Sequence, residues 1–432
     1  MKKPSQFNTF FNKDDVFIGY NALSNQFILL DPLLYDLIVA GQKQKNFSEL
    51  EQIHSDFYNL LISNGFLVNE NVNEFDLVKS LSRQIDSDNT QFHLIINPTM
   101  NCNFKCWYCY ETHIKDSKMD TSTIDAIINL VSSVVKNQIG LKRFIISFFG
   151  GEPLLYFDKV INPIIKRTTE ICEESKVSVG GHITTNGLLI NEKMLQDCQK
   201  YGISGFQITL DGNREQHNKV RYISEIRGSF DTIVDNIILS AKHNIYVNVR
   251  INCSDNTFEG ISDILDSFSN ISTLEKSYIV FDFHKVWQES VDISDKIAMA
   301  KAEFENKGFN ISKSGAGTVI ESCYADKKNQ ATINYDGEIF KCTARDFKTG
   351  TGEGRLKHDG TITWNEKYEK RLNSKFNNEP CKTCRVLPLC GGGCTQAAIE
   401  AGDGDYCVMG YDESLKTKLV QEKFEMICAT LA

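Results

Sequence analysis

Nowhere does this sequence hold the ~20 consecutive apolar residues that a membrane-spanning helix needs. Its first residues, MKKPSQFNTFFNKDD, carry two lysines with no apolar segment behind them, unlike a secretory signal. Both absences point to a cytoplasmic protein without a membrane partner. Long Lys/Arg blocks are missing too, and the formal net charge is −9, which argues against general binding to nucleic acid or an anionic membrane. A neutral or basic peptide is compatible with that charge. What remains is the composition of a soluble globular chain, 41% hydrophobic and 24% charged, with 432 residues for two to three domains.

Cysteine, by contrast, is abundant, at 14 residues. In a secreted chain these would suggest disulfides; without a signal peptide, and with many close pairs, metal ligation is the stronger reading. Cys102, Cys106 and Cys109 stand in NPTMNCNFKCWYCYE, spaced C-x3-C-x2-C. Thiolates this close can converge on one metal centre and leave a coordination position open for chemistry. The same spacing fits one helix face. However, Pro98 and the Asn-flanked Cys102, after the apolar run 93–97, predict a strand ending in a loop. The motif resembles the signature of the radical S-adenosylmethionine (SAM) enzymes. That resemblance implies a [4Fe–4S] cluster on the cysteines, SAM on its fourth iron, and reductive cleavage of SAM to a 5′-deoxyadenosyl radical.

The periodicity agrees with that family. Strands predicted at 93–97, 144–149, 178–184, 205–210, 247–252 and 278–285 alternate with helices at 122–138, 157–174, 191–201, 230–243 and 258–268. Such β/α repeats predict an α/β fold, a partial (β/α)6 barrel over residues 89–310, with functional groups at the C-terminal strand ends. Residues 1–88 read as strands at 7–11, 16–22 and 26–30, a helix opening at Pro32, a helix over 48–63 and a strand at 66–68. This winged-helix-like order resembles the recognition element of enzymes that modify ribosomally made peptides. Within the stretch 69–91 a helical linker ends in a loop. From about Gly315 the periodicity weakens and the cysteines crowd, predicting a metal-stapled domain over residues 311–432.

Three runs follow predicted strands at the end where ligands are expected. The first is Phe149-Gly150-Gly151-Glu152-Pro153. Its glycines let a ligand approach the backbone and its carboxylate can bind an ammonium, although a plain turn would look the same. It resembles the motif that holds the amino group of SAM, implying roles for Gly150, Gly151 and Glu152. The second is Thr184-Thr185-Asn186-Gly187, where Asn186 offers a donor and an acceptor. The third is Thr209-Leu210-Asp211-Gly212, followed by His217 and Arg221. Thr209 stands where the family carries Ser and keeps the hydroxyl, a candidate for the SAM carboxylate or ribose. For both of these runs an Asx-type turn is the alternative, and for Arg221 a surface salt bridge. Tyr108 lies where the family places an aromatic beside the cluster, its backbone meeting the adenine.

The remaining pattern is Cys323, Gly337-x4-Cys342, Cys381-x2-Cys384-x5-Cys390-x3-Cys394 and Cys407. A C-x2-C pair alone would suggest zinc. The full array resembles the SPASM domain, which implies two auxiliary [4Fe–4S] clusters and three in all. By position, one takes Cys323, Cys342 and Cys394; the other takes Cys381, Cys384, Cys390 and Cys407. Asn329 stands where some members carry a further ligand, leaving an open iron, Asp326 or a substrate group for that place. Cys172, Cys198, Cys253 and Cys428 are expected to be small, buried or partly buried residues.

Together these features lead to the expectation of a peptide maturase. It would bind a precursor through its leader, take electrons from a ferredoxin or flavodoxin, and install a thioether or carbon–carbon cross-link. The alternative is an anaerobic sulfatase-maturing enzyme forming formylglycine. Those enzymes commonly carry Asp after the second SPASM cysteine, where this chain has Thr343, with Asp346 three residues further on. A zinc-stapled peptide-binding adaptor is a third reading, but it has no need of C-x3-C-x2-C beside Gly-Gly-Glu.

Overall fold

The computed structural model describes residues 1–44, 46–224, 226–312, 319–402 and 404–431. The onset near Gly315 lies outside these residues. The chain divides into two compact units, Met1–Asp88 with Lys313–Lys328 and Tyr368–Ala432, and Asn89–Ser312 with Asn329–Lys367. No described helix is long and apolar enough to cross a membrane.

In the first unit, strand β1 (Lys2–Pro4) precedes a three-stranded antiparallel sheet of β2 (Asn8–Lys13), β3 (Val16–Asn21) and β4 (Gln26–Leu30). Helices α1 (Pro32–Gln44), α2 (Ser48–Ile53) and α3 (Ser55–Ser63) follow, then β5 (Leu67–Asn69), which pairs with β1, and α4 (Glu74–Asp86). The single helix expected over 48–63 is two. His54 adopts φ −150° between them and its ring accepts the Phe57 N–H, so it caps α3 rather than continuing α2. Ile28, Leu30, Ile38, Phe57 and Leu61 form one core here. A second core joins Phe7, Phe11, Ile18 and Tyr20 to Phe376, Val386, Leu387 and Val420. The N-terminal strands and the C-terminal cysteine-rich segment thus bury a shared apolar surface, and the boundary expected from sequence between separate terminal domains does not divide this unit.

The second unit is built on one sheet. In chain order its strands are β6 (Gln91–Ile96), β7 (Arg143–Phe148), β8 (Ser178–Thr185), β9 (Ile203–Leu210), a small hairpin of β10 (Tyr222–Ser224) and β11 (Arg227–Gly228), β12 (Tyr246–Cys253), β13 (Ile279–Lys285) and β14 (Asn310–Ile311). Then come β15 (Gln330–Ile333), β16 (Glu338–Phe340), β17 (Gly354–Leu356) and β18 (Ile362–Trp364). The order across the sheet is β14-β13-β12-β9-β8-β7-β6-β15-β16-β17-β18, parallel from β14 to β15 and antiparallel beyond. This is the open, partial (β/α)6 arrangement. Residues 329–367 extend it, because β15 pairs in parallel with β6, so the boundary at residue 310 is not where this sheet ends.

Helices α5 (Thr121–Asn137), α6 (Asn162–Glu174), α7 (Glu192–Lys200), α8 (Arg214–Val220) and α9 (Phe230–Lys242) cover one face. Asp120, Asn191 and Asn213 cap α5, α7 and α8 with side-chain oxygens. The helix expected from Phe157 begins as a π turn, since Pro163 has no N–H for the regular ladder, and α6 starts only at Asn162. Over 258–268 the chain forms only a 3₁₀ turn and the single-turn α10 (Asp263–Asp266), interrupted by Gly260 at φ +64°. Of the four leftover cysteines, Cys172, Cys198 and Cys253 are buried. Cys428 is exposed, because the inward stripe of the helix Glu413–Leu431 ends near Phe424 and its last turn runs past the core.

Candidate active site

The segment after β6 is a loop that closes on itself. The Thr99 hydroxyl donates to the Ser117 carbonyl (2.6 Å) and accepts the Asn101 N–H (2.8 Å), while the Met100 N–H donates to Ser117 Oγ (2.9 Å). Cys102 and Cys106 are half-buried and Cys109 is exposed. Burial, with a smaller contribution from Cys106, pushes the Cys102 thiol up to about 12 and the Cys109 thiol to about 11. Arg221 pulls all three back down. The sulfurs therefore share one electrostatic environment in which thiolate charge needs a cationic partner. Among the described residues no three Cys, His, Asp or Glu side chains converge at single-ion spacing. Three thiols on one loop, all acted on by Arg221, are a donor set of the kind that holds an iron–sulfur cluster.

Gly150 and Gly151 pack against this loop. A Cβ on Gly150, at φ +96°, would lie 2.7 Å from the Thr99 carbonyl oxygen, and one on Gly151 would strike the Asn101 carbonyl. The Gly151 and Glu152 N–H groups donate to those carbonyls, at 3.1 and 2.8 Å. The glycines are needed for close approach of backbone to backbone. Glu152 is fully buried, and its carboxylate accepts from the Thr185 hydroxyl (2.7 Å) and the N–H groups of Asn186 (2.7 Å) and Leu154 (3.0 Å). Burial raises its pKa against these bonds. A carboxylate with about four acceptor positions keeps one for a further donor. Asn186 reaches the same loop through Asn103 Oδ1 (2.7 Å).

Arg221 is not a surface residue. Its Nε lies 2.7 Å from Asp211 Oδ2, and its Nη2 donates to the Tyr108 hydroxyl at 2.7 Å. The Tyr108 hydroxyl in turn lies 2.7 and 2.8 Å from the two Asp211 oxygens. Behind the pair, the Asp211 N–H donates to His217 Nδ1 (3.2 Å), which leaves the His217 proton on Nε2 facing Ser229 Oγ (3.0 Å); that hydroxyl donates to the Arg221 carbonyl (3.0 Å). Burial holds His217 down to about 3, so it is neutral.

Thr209 lies in register with Arg250 on β12, which pairs with Asp282 on β13. These residues point away from the helices, and so do Asn252 and His284. In β12 and β13 buried residues alternate with half-exposed polar ones. His284 Nε2 sits 2.6 Å from Asp282 Oδ2. Burial pushes Asp282 up, yet hydrogen bonds from His284 and Asn248 bring it below its ordinary value. Ser147 bridges His93 (2.9 Å) and His182 (3.1 Å) across β6, β7 and β8. This polar wall was overlooked in the sequence, and the signal was present: parallel strands covered on both faces read as continuous apolar runs, whereas YVNVRINC and IVFDFHK alternate. Glu111 was also overlooked. Its Oε1 is buried and without a hydrogen bond among the described residues, and burial, then Asp346, pushes it up to about 8. Asp346 itself is held by Thr112, through N–H (2.8 Å) and Oγ (2.6 Å).

The C-terminal cysteines fall into both units. Cys342 follows β16, its sulfur accepting the Ala344 N–H at 3.4 Å. In the first unit, Cys381, Cys384 and Cys407 each act on the thiol of Cys390, which burial raises to about 11, so the four lie together. Gly391, Gly392 and Gly393 all have positive φ, and the Tyr406 hydroxyl donates to the Gly392 carbonyl at 2.8 Å. Tyr406 is influenced by Cys381, Cys390 and Cys394 alike. Asp326 already holds Thr395 and Lys375.

Residues 96–266 match the Radical SAM superfamily. With its cysteine loop at the C-terminal end of an open parallel sheet, this part of the chain is a radical SAM domain, and the relatives that share it are enzymes. Such enzymes hold a [4Fe–4S] cluster and SAM. The C-terminal region is cysteine-rich and SPASM-like. The chain is similar to the radical SAM cyclopropyl synthase TigE of Paramaledivibacter caminithermalis, 21% identical over 93% of this chain and 91% of that one. It is also similar to a cysteine-type anaerobic sulfatase-maturating enzyme of Clostridium novyi, 24% identical over 70% and 87% of the two chains. Among solved structures, anSMEcpe with bound AdoMet and Kp18Cys peptide aligns with TM-score 0.57 and 18% identity, covering 78% of this chain and 99% of that one. Streptococcus suis SuiB bound to precursor peptide SuiA aligns with TM-score 0.52 and 16% identity, over 94% and 98%. These structures share the fold.

Proposed function

We propose that this radical SAM enzyme is a peptide maturase that installs a thioether or carbon–carbon cross-link in a ribosomally made precursor. The observation that carries the reading is coverage. The relatives that span nearly the whole chain, 93% and 94%, are a cyclopropyl synthase and an enzyme crystallised with its precursor peptide, whereas sulfatase maturases cover 70–78%. When bound, the cluster and SAM supply the 5′-deoxyadenosyl radical. Cys102, Cys106 and Cys109 hold that cluster. Glu152 offers its remaining acceptor position to the ammonium of SAM, with Gly150 and Gly151 keeping the backbone close. Thr209 meets the carboxylate or ribose, Asn186 is a further SAM contact, and Tyr108 packs beside the cluster.

Two auxiliary clusters complete the reading. One takes Cys381, Cys384, Cys390 and Cys407, the four cysteines that lie together. The other takes Cys323, Cys342 and Cys394, all three assigned on sequence resemblance. The leader adds to β4, an edge strand of its sheet with Leu29 66% exposed, through main-chain hydrogen bonds. A ferredoxin or flavodoxin supplies electrons. The sulfatase maturase is the second reading, supported by its similar fold and opposed by Thr343 and by the engagement of Asp346 with Thr112.

The test uses anaerobically reconstituted protein with SAM, dithionite and, in parallel, short peptides encoded beside its gene and a sulfatase-derived cysteine peptide. Loss of two hydrogens from a neighbouring peptide, dependent on its leader, is the expected result. Conversion of the sulfatase peptide alone would replace this reading with the second one. Cys102→Ala should abolish 5′-deoxyadenosine formation and remove one cluster's worth of iron.

A further inference from the structure

The first unit buries a network of charges that neither radical chemistry nor peptide recognition calls for. Lys375 Nζ lies 3.1 Å from Asp326 Oδ2, 3.3 Å from Asp86 Oδ2 and 3.3 Å from Ser322 Oγ. The Ser322 hydroxyl also donates to Asp86 Oδ1. Asp326 Oδ1 accepts from Thr395 Oγ at 2.6 Å, and Arg371 donates to Thr395 Oγ (2.9 Å) and Gln396 Oε1 (2.5 Å). The side chains of Asp326, Lys375 and Asp86 are 3%, 8% and 15% exposed, and Arg371 is 1% exposed.

The sequence positions of these residues give the network its meaning. Ser322 precedes Cys323, and the Asp326 N–H closes a turn onto the Cys323 carbonyl at 3.0 Å. Thr395 follows Cys394. Asp326 thus ties the segment carrying one cysteine to the segment carrying the other. Its two oxygens are engaged separately, Oδ1 by Thr395 and Oδ2 by Lys375. Two carboxylates and two cations balance, and in so buried a place their field is weakly screened.

We propose that Asp326 and Lys375 are positioning residues that set the approach of Cys323 and Cys394 and tune the one-electron reduction potential of the iron–sulfur cluster those cysteines hold. The inference rests on the assignment of Cys323 and Cys394 as ligands of an auxiliary cluster. Removing a cation from the neutral network disfavours the added electron and lowers the potential; neutralising a carboxylate raises it. A cavity of about 400 Å³ lined by Asp86, Asp326, Arg371 and Lys375 admits water to whichever group loses its partner.

The experiment is an anaerobic redox titration, followed by electron paramagnetic resonance, on reconstituted full-length Lys375→Met, Lys375→Arg and Asp326→Asn proteins, with iron counted in each. Cys323→Ala identifies which signal belongs to this cluster. The expected result is a lower midpoint for Lys375→Met, a higher one for Asp326→Asn, and a near-native one for Lys375→Arg. A merely structural network would move both charge-altering variants the same way or strip iron from both. If Lys375→Met fails to load iron, Asp86→Asn, at the better-hydrated end, should still raise the midpoint. Unchanged midpoints, or shifts of one sign, overturn the proposal while the cluster assignment stands. A Cys323→Ala protein that keeps the iron and every signal of the wild type overturns both.

Discussion

Arg221 and Asp211 form a buried ion pair, Nε to Oδ2 2.7 Å, with the hydroxyl of Tyr108 bonded to both partners. The pair joins the end of β9 to the cysteine loop, and both groups act on the thiol of Cys106. A strand end, a helix and a loop thereby share one electrostatic centre.

Breaking that pair on one side should be worse than removing it. Arg221→Leu leaves Asp211 charged and uncompensated, a loss of roughly 3–5 kcal/mol. Asp211→Asn combined with Arg221→Leu should cost less than the sum of the single changes. Denaturant midpoints of the four proteins close the cycle, and strict additivity would mean the pair is not coupled.

His217 should make the protein acid-sensitive. Its folded pKa of about 3 is below the ordinary ~6.5, so the folded state resists protonation. Its contribution to stability is full above about pH 6.5 and is lost as pH falls towards about 3, at ~1.4 kcal/mol per pH unit. His217→Gln keeps an acceptor for the Asp211 N–H and should flatten the dependence of stability on pH between 6 and 4. An unchanged slope would assign the acid sensitivity elsewhere.

Gly151→Ala should damage the cysteine loop without touching a ligand. The new methyl would press on the Asn101 carbonyl, the residue before Cys102, at about 1–3 kcal/mol for an overfilled packed site. Iron at the loop and 5′-deoxyadenosine formation should fall together while any iron held by the C-terminal cysteines stays. Native iron content would show that the loop has room to retreat.

Residues 1–88 should not be removable as a module. Phe7, Phe11, Ile18 and Tyr20 share a core with Phe376, Val386 and Val420. Phe7→Ala should destabilise that core by about 3–5 kcal/mol, read in thermal unfolding. Leader binding is better probed with Leu29→Glu on the exposed edge strand, which should weaken precursor binding and leave the melting temperature near native.

The barrel strands were legible because β-branched and aromatic runs recur at regular spacing, and each lies within a few residues of its expected place. The cysteine loop, Gly-Gly-Glu and the Asn and Asp turns were legible because a motif at a strand end has only one place to go. What escaped reading was of two kinds. His54 splits a helix by capping Phe57 three residues on, and Gly260 breaks another by its own backbone angle. β15 joins the barrel only because β6, far away in sequence, offers it an edge.

Residue type and spacing alone therefore carried the C-x3-C-x2-C motif and the parallel sheet that presents it. These are local properties, carried by covalent spacing and side-chain pattern. Only the tertiary structure decided that Arg221 is buried against Asp211, that Asp326 is spent on Thr395 and Lys375, and that both chain ends share one core. Each of those rests on burial and on distances between groups 10 to about 400 residues apart, which hydrophobic collapse sets and no local pattern records.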